Sequence, residues 1–221
     1  MDYRLLGFFS GFPSHHFPSD IADRLREELT RRGSLVFVCT DPAEHAKIDF
    51  HAAGMHGMFE EIGLPFAQCH AIDDRVEPSL AAQLIREASC VFLMGGHPGK
   101  QIQFLRETGL DSAIRNSPAA LLGVSAGAMN MGKRSLDMNE APVLYKGLGL
   151  ENITVHPHFD PTDQDMLSAL LRVSEDLPIC AMEDDSAIFV AGDRVSSMGE
   201  IHWIHRGEIC PLWEGGLLLC L

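Results

Sequence analysis

The chain has 221 residues, 46% of them hydrophobic, with 17 Lys and Arg against 31 Asp and Glu for a formal net charge of -14. Such a length and apolar content suit one well-buried domain over residues 1–221 and exclude a disordered chain. The acidic balance repels phosphate backbones and anionic lipid, which argues against nucleic acid and membrane surfaces as partners. Six scattered cysteines (Cys39, Cys69, Cys90, Cys180, Cys210, Cys220) form no C-x-x-C pair and read as buried reduced thiols. The start, Met-Asp-Tyr-Arg-Leu-Leu-Gly, lacks the regions of a signal peptide, so a cytoplasmic location is expected.

In chain order, Arg4 to Ser10 predicts a first strand. Ser19 or Asp20 opens a helix through about Arg32, with Ile21, Leu25 and Leu29 at helical spacing. Ser34 to Thr40 is continuously apolar and β-rich, as in a strand covered on both faces. Next come a helix from about Pro42 to Ile62, a strand from Phe66 to Ile72, a helix from Pro78 to Ala88 and a strand from Cys90 to Met94 that runs into Gly95-Gly96-His97-Pro98-Gly99. A helix over roughly Lys100 to Arg106 resumes before Asn116, where Ser117-Pro118 breaks it. This alternation predicts an α/β protein with a mostly parallel sheet and helices on both faces. Beyond Ser135, Leu148 to His156 is expected to be extended and Thr162 to Val173 helical. The segments Ala187 to Val190, Val195 to Met198, Ile201 to His205, Ile209 to Trp213 and Leu217 to Leu219 are expected as hairpins extending the sheet at one edge.

The most informative stretch is Ala119-Ala-Leu-Leu-Gly-Val-Ser125-Ala-Gly-Ala-Met-Asn130, an apolar strand that stops at a serine and turns into a helix. Gly123 and Gly127 complete a G-x-S-x-G nucleophile elbow, in which small residues allow the tight turn and the hydroxyl stands exposed. The backbone N–H of Ala126, at the positive end of the helix dipole, is placed to stabilise an oxyanion. A glycine-rich turn without chemistry is the bland alternative.

A serine nucleophile needs a base and a group that orients the base. Val155-His156-Pro157-His158-Phe159-Asp160 offers two histidines fixed by a proline, and Glu140, Asp137 or Glu151 offers the acid, Glu140 first because it sits beside Pro142 in a polar loop. Asp184, in Met182-Glu183-Asp184-Asp185-Ser186, is a second candidate acid near the histidine or part of a solvated turn. His97 either lines the pocket or caps the next helix. His51, His56 and His70 read as ordinary surface or core groups. His156-x-His158-x-Asp160 also begins like a binuclear zinc run, but Pro161 stands where the next ligand is needed, so no metal is assigned. The order Ser, acid, His matches α/β-hydrolases, yet the segment from Ser125 to His158 is too short for the βα units those enzymes place there.

Gly-Val-Ser125-Ala-Gly-Ala-Met-Asn, the strand ending in Gly95-Gly96, Asn139-Glu140-Ala-Pro, and Pro157-His158-Phe159 together resemble peptidase family S51, which contains aspartyl dipeptidase (peptidase E) and cyanophycinase. The resemblance spans most of the chain and implies a class I glutamine amidotransferase-like fold with serine in place of cysteine. It implies Ser125 as nucleophile, His158 as base in preference to His156, Glu140 as triad acid, and the amides of Gly96 and Ala126 as oxyanion hole. His97, Asn130 and Asp184 are candidate pocket residues. The chain departs from peptidase E where Gly-Gly-Asn becomes Gly95-Gly96-His97, and where the basic stretch after Pro-His-Phe becomes Asp160-Pro-Thr-Asp-Gln-Asp165, leaving Arg172 as the nearest cation on that helix. The expected activity is cofactor-free serine hydrolysis of an amide in a small peptide. Alternatives are a cyanophycinase-like or other amide hydrolase and an inactive binding protein; a homodimer through an exposed edge strand is also considered.

Overall fold

Apolar β-rich runs in this chain become strands wherever both faces can be covered. In the computed structural model, which describes residues 3–138 and 142–212, Leu5–Phe9 (β1), Ser34–Val38 (β2), Gln68–Ile72 (β3), Cys90–Leu93 (β4) and Ala120–Val124 (β5) all run parallel. The helices Ser19–Glu28 (α1), His45–Glu61 (α2), Pro78–Glu87 (α3), Pro98–Glu107 (α4), Leu110–Arg115 (α5) and Ala126–Met131 (α6) connect and flank them. The remaining elements are Arg134–Asp137 (β6), Val143–Lys146 (β7), Val155–His156 (β8), Gln164–Val173 (α7), Ile179–Met182 (β9), Ala187–Ala191 (β10), Arg194–Met198 (β11), Ile201–His205 (β12) and Glu208–Pro211 (β13).

Among the described residues the large sheet has the order β11-β10-β1-β5-β4-β2-β3, with β10 and β11 antiparallel at one edge. The chain leaves β1 for β2, builds outward to β3, then returns through β4 to β5. Consequently the carboxyl ends of β1, β5 and β4 lie side by side where the strand order reverses, the place at which open α/β sheets bind ligands. Beneath them lies a core that includes Phe8, Phe9, Phe37, Phe92 and Phe189, all fully buried.

The C-terminal half differs from expectation in three ways. The β10–β11 hairpin extends the large sheet as anticipated, but β12 and β13 join β9 and β8 in a separate four-stranded sheet. Ile204 and Ile179 of that sheet pack with Leu136, Phe159, Leu170 and Leu177 in a second small core under α7, while Val155, Cys180, Met182 and Ile201 of the same sheet pack into the main core. Of the stretch 148–156, only β8 is a strand. The N–H groups of Leu148, Gly149 and Leu150 instead bond the carbonyls of Asn130, Gly132 and Met131, satisfying the open end of α6. The β6–β7 hairpin was not anticipated, because its second strand is largely exposed and carries no alternating pattern. Leu217 to Leu219, and Trp213 at the end of an expected strand, lie outside the described residues.

The elbow is set by close backbone contact. A Cβ on Gly123 would lie 2.7 Å from the Gly127 carbonyl carbon and 2.8 Å from the Ala128 nitrogen, and one on Gly127 would run into the Leu93 carbonyl. Gly127→Ala should therefore force α6 off β4 and lower stability by about 2 kcal/mol or more, read as a reduced urea midpoint with an unchanged m-value.

Candidate active site

Ser125 sits between β5 and α6 with φ 52 and ψ -116, a conformation that L residues adopt only when their surroundings impose it. Its N–H is held by the carbonyls of Phe9 and Ser10 at 2.9 and 3.0 Å, so the elbow is tied to the end of β1. The hydroxyl lies 2.9 Å from Nε2 of His158, and Nδ1 of the same ring lies 2.7 Å from Oδ1 of Asp184. An ionised Asp184 accepts from Nδ1–H, which leaves Nε2 as the acceptor facing the serine hydroxyl.

The histidine is positioned by the end of β1 as well. His158 follows β8 and has φ 55; its N–H donates to the fully buried Ser10 Oγ at 2.7 Å, and Ser10 Oγ donates to the Met182 carbonyl at 2.9 Å. Phe159 N–H bonds that same carbonyl at 2.9 Å. Gly11 then lies directly against the pair: a Cβ there would fall 2.6 Å from Asp184 Oδ1, and nearer still to Cε1 of His158. Ser10 and Gly11 escaped the sequence reading. The available signal was a small polar pair directly after an apolar strand, at the end where ligands bind.

Among the described residues, the carboxylate that meets His158 is that of Asp184, the second candidate acid. The run Glu183-Asp184-Asp185 is a turn with Asp184 exposed, but its groups are engaged: Glu183 Oε1 holds His202 Nε2 at 2.7 Å, Asp184 holds His158, and the Asp185 N–H donates to the Gly11 carbonyl at 2.7 Å. Burial, and next the charge of Asp184, raise the Asp185 carboxyl. Glu140, the acid expected from the motif, lies outside the described residues. Of the other acids considered, Asp137 is on β6, and Glu151 accepts from the neighbouring Asn152 N–H.

Gly95 and Gly96 close the site from β4. A Cβ on Gly95 would be 3.3 Å from Ser125 Cβ, while Gly96, at φ +137, lies against the Thr40 side chain. Thr40 Oγ1 donates to the Gly95 carbonyl at 3.1 Å and shapes the turn. Gly96 lines the same cleft as Ser125, and Ala126 opens α6, where its N–H has no acceptor within the helix.

Two expected pocket residues are elsewhere. Asn130 is fully buried: its amide donates to the Pro98 carbonyl and Gln101 Oε1, and its oxygen accepts from Ser135 and Tyr145. Gln101 in turn bonds the carbonyls of Val38, Cys39 and Met94, so Asn130 braces the loops around the site from below. His97 caps α4, its Nδ1 accepting from Lys100 N–H at 3.3 Å. The metal run also dissolves, since His158 is engaged by Ser125 and Asp184 while Asp160 accepts from Thr162 N–H and Oγ1. Those bonds hold the Asp160 carboxyl below its usual range. Asp163 caps α7 by accepting from Met166 N–H, and Arg172 stands in the last turn of that helix. The buried thiol of Cys39 is pushed up to about 12, chiefly by burial, in keeping with an inert reduced cysteine.

Ser125 and His158 open onto a cleft of about 530 Å³ walled on its far side by α2. No helix among the described residues is long and apolar enough to cross a membrane.

An α/β sheet with a serine–histidine–carboxylate chain at its switch point defines a hydrolase-type architecture. The model of peptidase family S51 matches residues 6–198, and the chain belongs to that family, which makes it a peptidase by class. Its fold is similar to a peptidase from an acI-B1 Actinobacterium, at TM-score 0.74 and 19% identity over 96% of this chain and 95% of that one. It is likewise similar to a protein from Listeria monocytogenes EGD-e assigned as a peptidase E, at TM-score 0.67 and 19% identity over 89% and 98%. At that identity the two likenesses speak for the fold alone. No curated protein matches.

Two predictions arise from this geometry. Gly11→Ala should displace the His158–Asp184 pair and slow modification of Ser125 by a fluorophosphonate about a hundredfold, with the far-UV spectrum retained. His156 is buried, Nδ1 has no hydrogen-bond partner among the described residues, and the imidazole is pushed down to about 4 from 6.5, first by burial and then by His158. The unfolded chain binds a proton that the folded chain refuses across that interval. Stability should therefore be complete above about pH 6.5 and fall by about 3 kcal/mol on the way to pH 4. His156→Gln should flatten that part of the pH profile in urea melts.

Proposed function

We propose that the chain is a serine peptidase that hydrolyses an amide bond in a small peptide through an acyl-enzyme. The observation that carries this reading is the continuous hydrogen-bonded chain from Ser125 Oγ through His158 to Asp184, at 2.9 and 2.7 Å. In the proposed reaction Ser125 Oγ attacks the scissile carbonyl carbon as His158 Nε2 takes its proton. The oxyanion is met by the N–H groups of Gly96 and Ala126. Collapse breaks the C–N bond and His158 returns the proton to the leaving amine. Water, deprotonated by the same imidazole, then releases the acid and regenerates the serine. Asp184 keeps the ring in the working tautomer and stabilises its cation, the part first assigned to Glu140. No step requires a cofactor, and five cysteines, none of them paired among the described residues, fit a reducing, cytoplasmic setting.

Fluorophosphonate labelling followed by hydrolysis of a dipeptide panel tests the reading. Ser125→Ala and His158→Ala should each lower turnover by about three powers of ten or more. Asp184→Asn should lower it by a comparable factor, whereas Glu140→Gln should change it less than about threefold. A serine inert to the label in the wild-type protein would point instead to a binding protein on a catalytic fold. The opposite ranking of the two acid variants would return the orienting role to Glu140.

A further inference from the structure

The cleft above Ser125 has a wall that the proposed chemistry does not explain. Lys47, Phe50, His51, Gly54, Met55 and Met58 all line it, each lying three or four positions from another of the set along α2, so one continuous stripe of that helix faces the serine. Across from it stand Phe12, Phe92, Met94 and Val124. Phe50 keeps 74% of its surface exposed, an unusual position for a large aromatic ring unless something docks on it. At Gly54 a Cβ would meet nothing within 4 Å, so no packing contact demands a glycine there. Glycine in a helix interior costs about 0.5–1 kcal/mol relative to alanine, and at Gly54 that cost leaves open volume in the cleft.

The lining holds no carboxylate and one fixed cation, Lys47, which stands toward the start of the stripe while Met55 and Met58 continue it. Desolvating an acidic side chain against the accessible surface of Phe50 and Met55, away from Lys47, is unfavourable, whereas an apolar side chain gains from those contacts. The acyl group is also the part of the substrate that stays bonded to Ser125 and must fit this cleft.

Resting on the serine-peptidase reading, we propose that the cleft selects amides whose acyl residue carries a large apolar side chain, of leucine or phenylalanine type, and that the α2 stripe centred on Gly54 sets this preference.

The test uses diphenyl α-aminophosphonate esters bearing the side chains of Leu, Phe, Ala and Asp. In each, Ser125 Oγ forms a bond to phosphorus, phenoxide leaves, and the serine proton passes through His158 to give phenol. Modification at Ser125 is read by mass spectrometry and its rate by phenol release. The Leu and Phe esters should react about tenfold or more faster than the Ala and Asp esters. Gly54→Leu, which raises helix propensity while filling the cleft, should cut the Leu-to-Ala rate ratio about tenfold. An Asp ester that reacts as fast as the Leu ester, or a ratio unmoved by Gly54→Leu, overturns the selectivity while leaving the nucleophile intact. Absence of Ser125 modification by every ester overturns the serine-peptidase reading, and this inference with it.

Discussion

The contact on which the site depends is the close approach of α6 to β4 at Gly127, where the Leu93 carbonyl occupies the space a side chain would need. It sets how far the short helix can sink onto the sheet, and therefore where β5 must stop. Gly123 allows the same approach from the strand side, against Gly127 and Ala128. With both glycines in place the connecting residue has no relaxed conformation open to it, and Ser125 takes φ 52. The strain is held by the two carbonyls at the end of β1 that accept its N–H. A hydroxyl in that position cannot retreat into the core.

The second half of the site is assembled by a different route. His158 and Asp184 come from segments flanking β8, β9 and β10, and both are referred to the residues that follow β1: Ser10 holds the His158 backbone, and Gly11 gives the imidazole and carboxylate room and accepts from the Asp185 N–H. β1 lies between β5, which carries the serine, and β10, which begins just after Asp184. One central strand thus sets the separation of both partners. Beneath the site, the Asn130–Gln101 network joins α6 and α4 to the ends of β2 and β4, so that its buried polar groups are satisfied while they lock the surrounding loops.

The contrast between floor and wall is chemical. Around Ser125 the backbone amides and the histidine–aspartate pair are polar and rigidly braced, while the α2 wall beyond Lys47 and His51 is apolar, carrying two methionines and a glycine with empty space around it. Such a division is what a binding cleft needs when orientation comes from a few polar groups and selectivity from shape and contact area. The acidic stretch after His158 contributes to neither, because Asp160 and Asp163 are spent on a local turn and a helix cap.

Local patterns in the sequence were sufficient for the parallel βαβ half, because each strand there is an apolar run bounded by turn residues and each amphipathic helix carries its own period. They were sufficient also to mark the elbow at Ser125, whose flanking glycines report a backbone contact formed within one strand–turn–helix unit, and to single out His158, which the fold brings within 2.9 Å of that hydroxyl. For the partner of His158 they offered candidates without a ranking that held: three acids lie between serine and histidine in sequence, yet the carboxylate on Nδ1 is that of Asp184, the second candidate, 26 positions beyond the histidine. Asn130 was misread for the same reason, since a polar side chain beside a motif looks like a ligand-binding group until its four partners, from α4, β6 and β7, are seen around it. The separate four-stranded sheet, the bracing by Ser10 and Gly11, and the α2 stripe facing Ser125 likewise belong to the tertiary structure alone. Sequence determined what each segment could form by itself; which segments meet was decided by burial of two apolar cores and by satisfaction of polar groups distant along the chain.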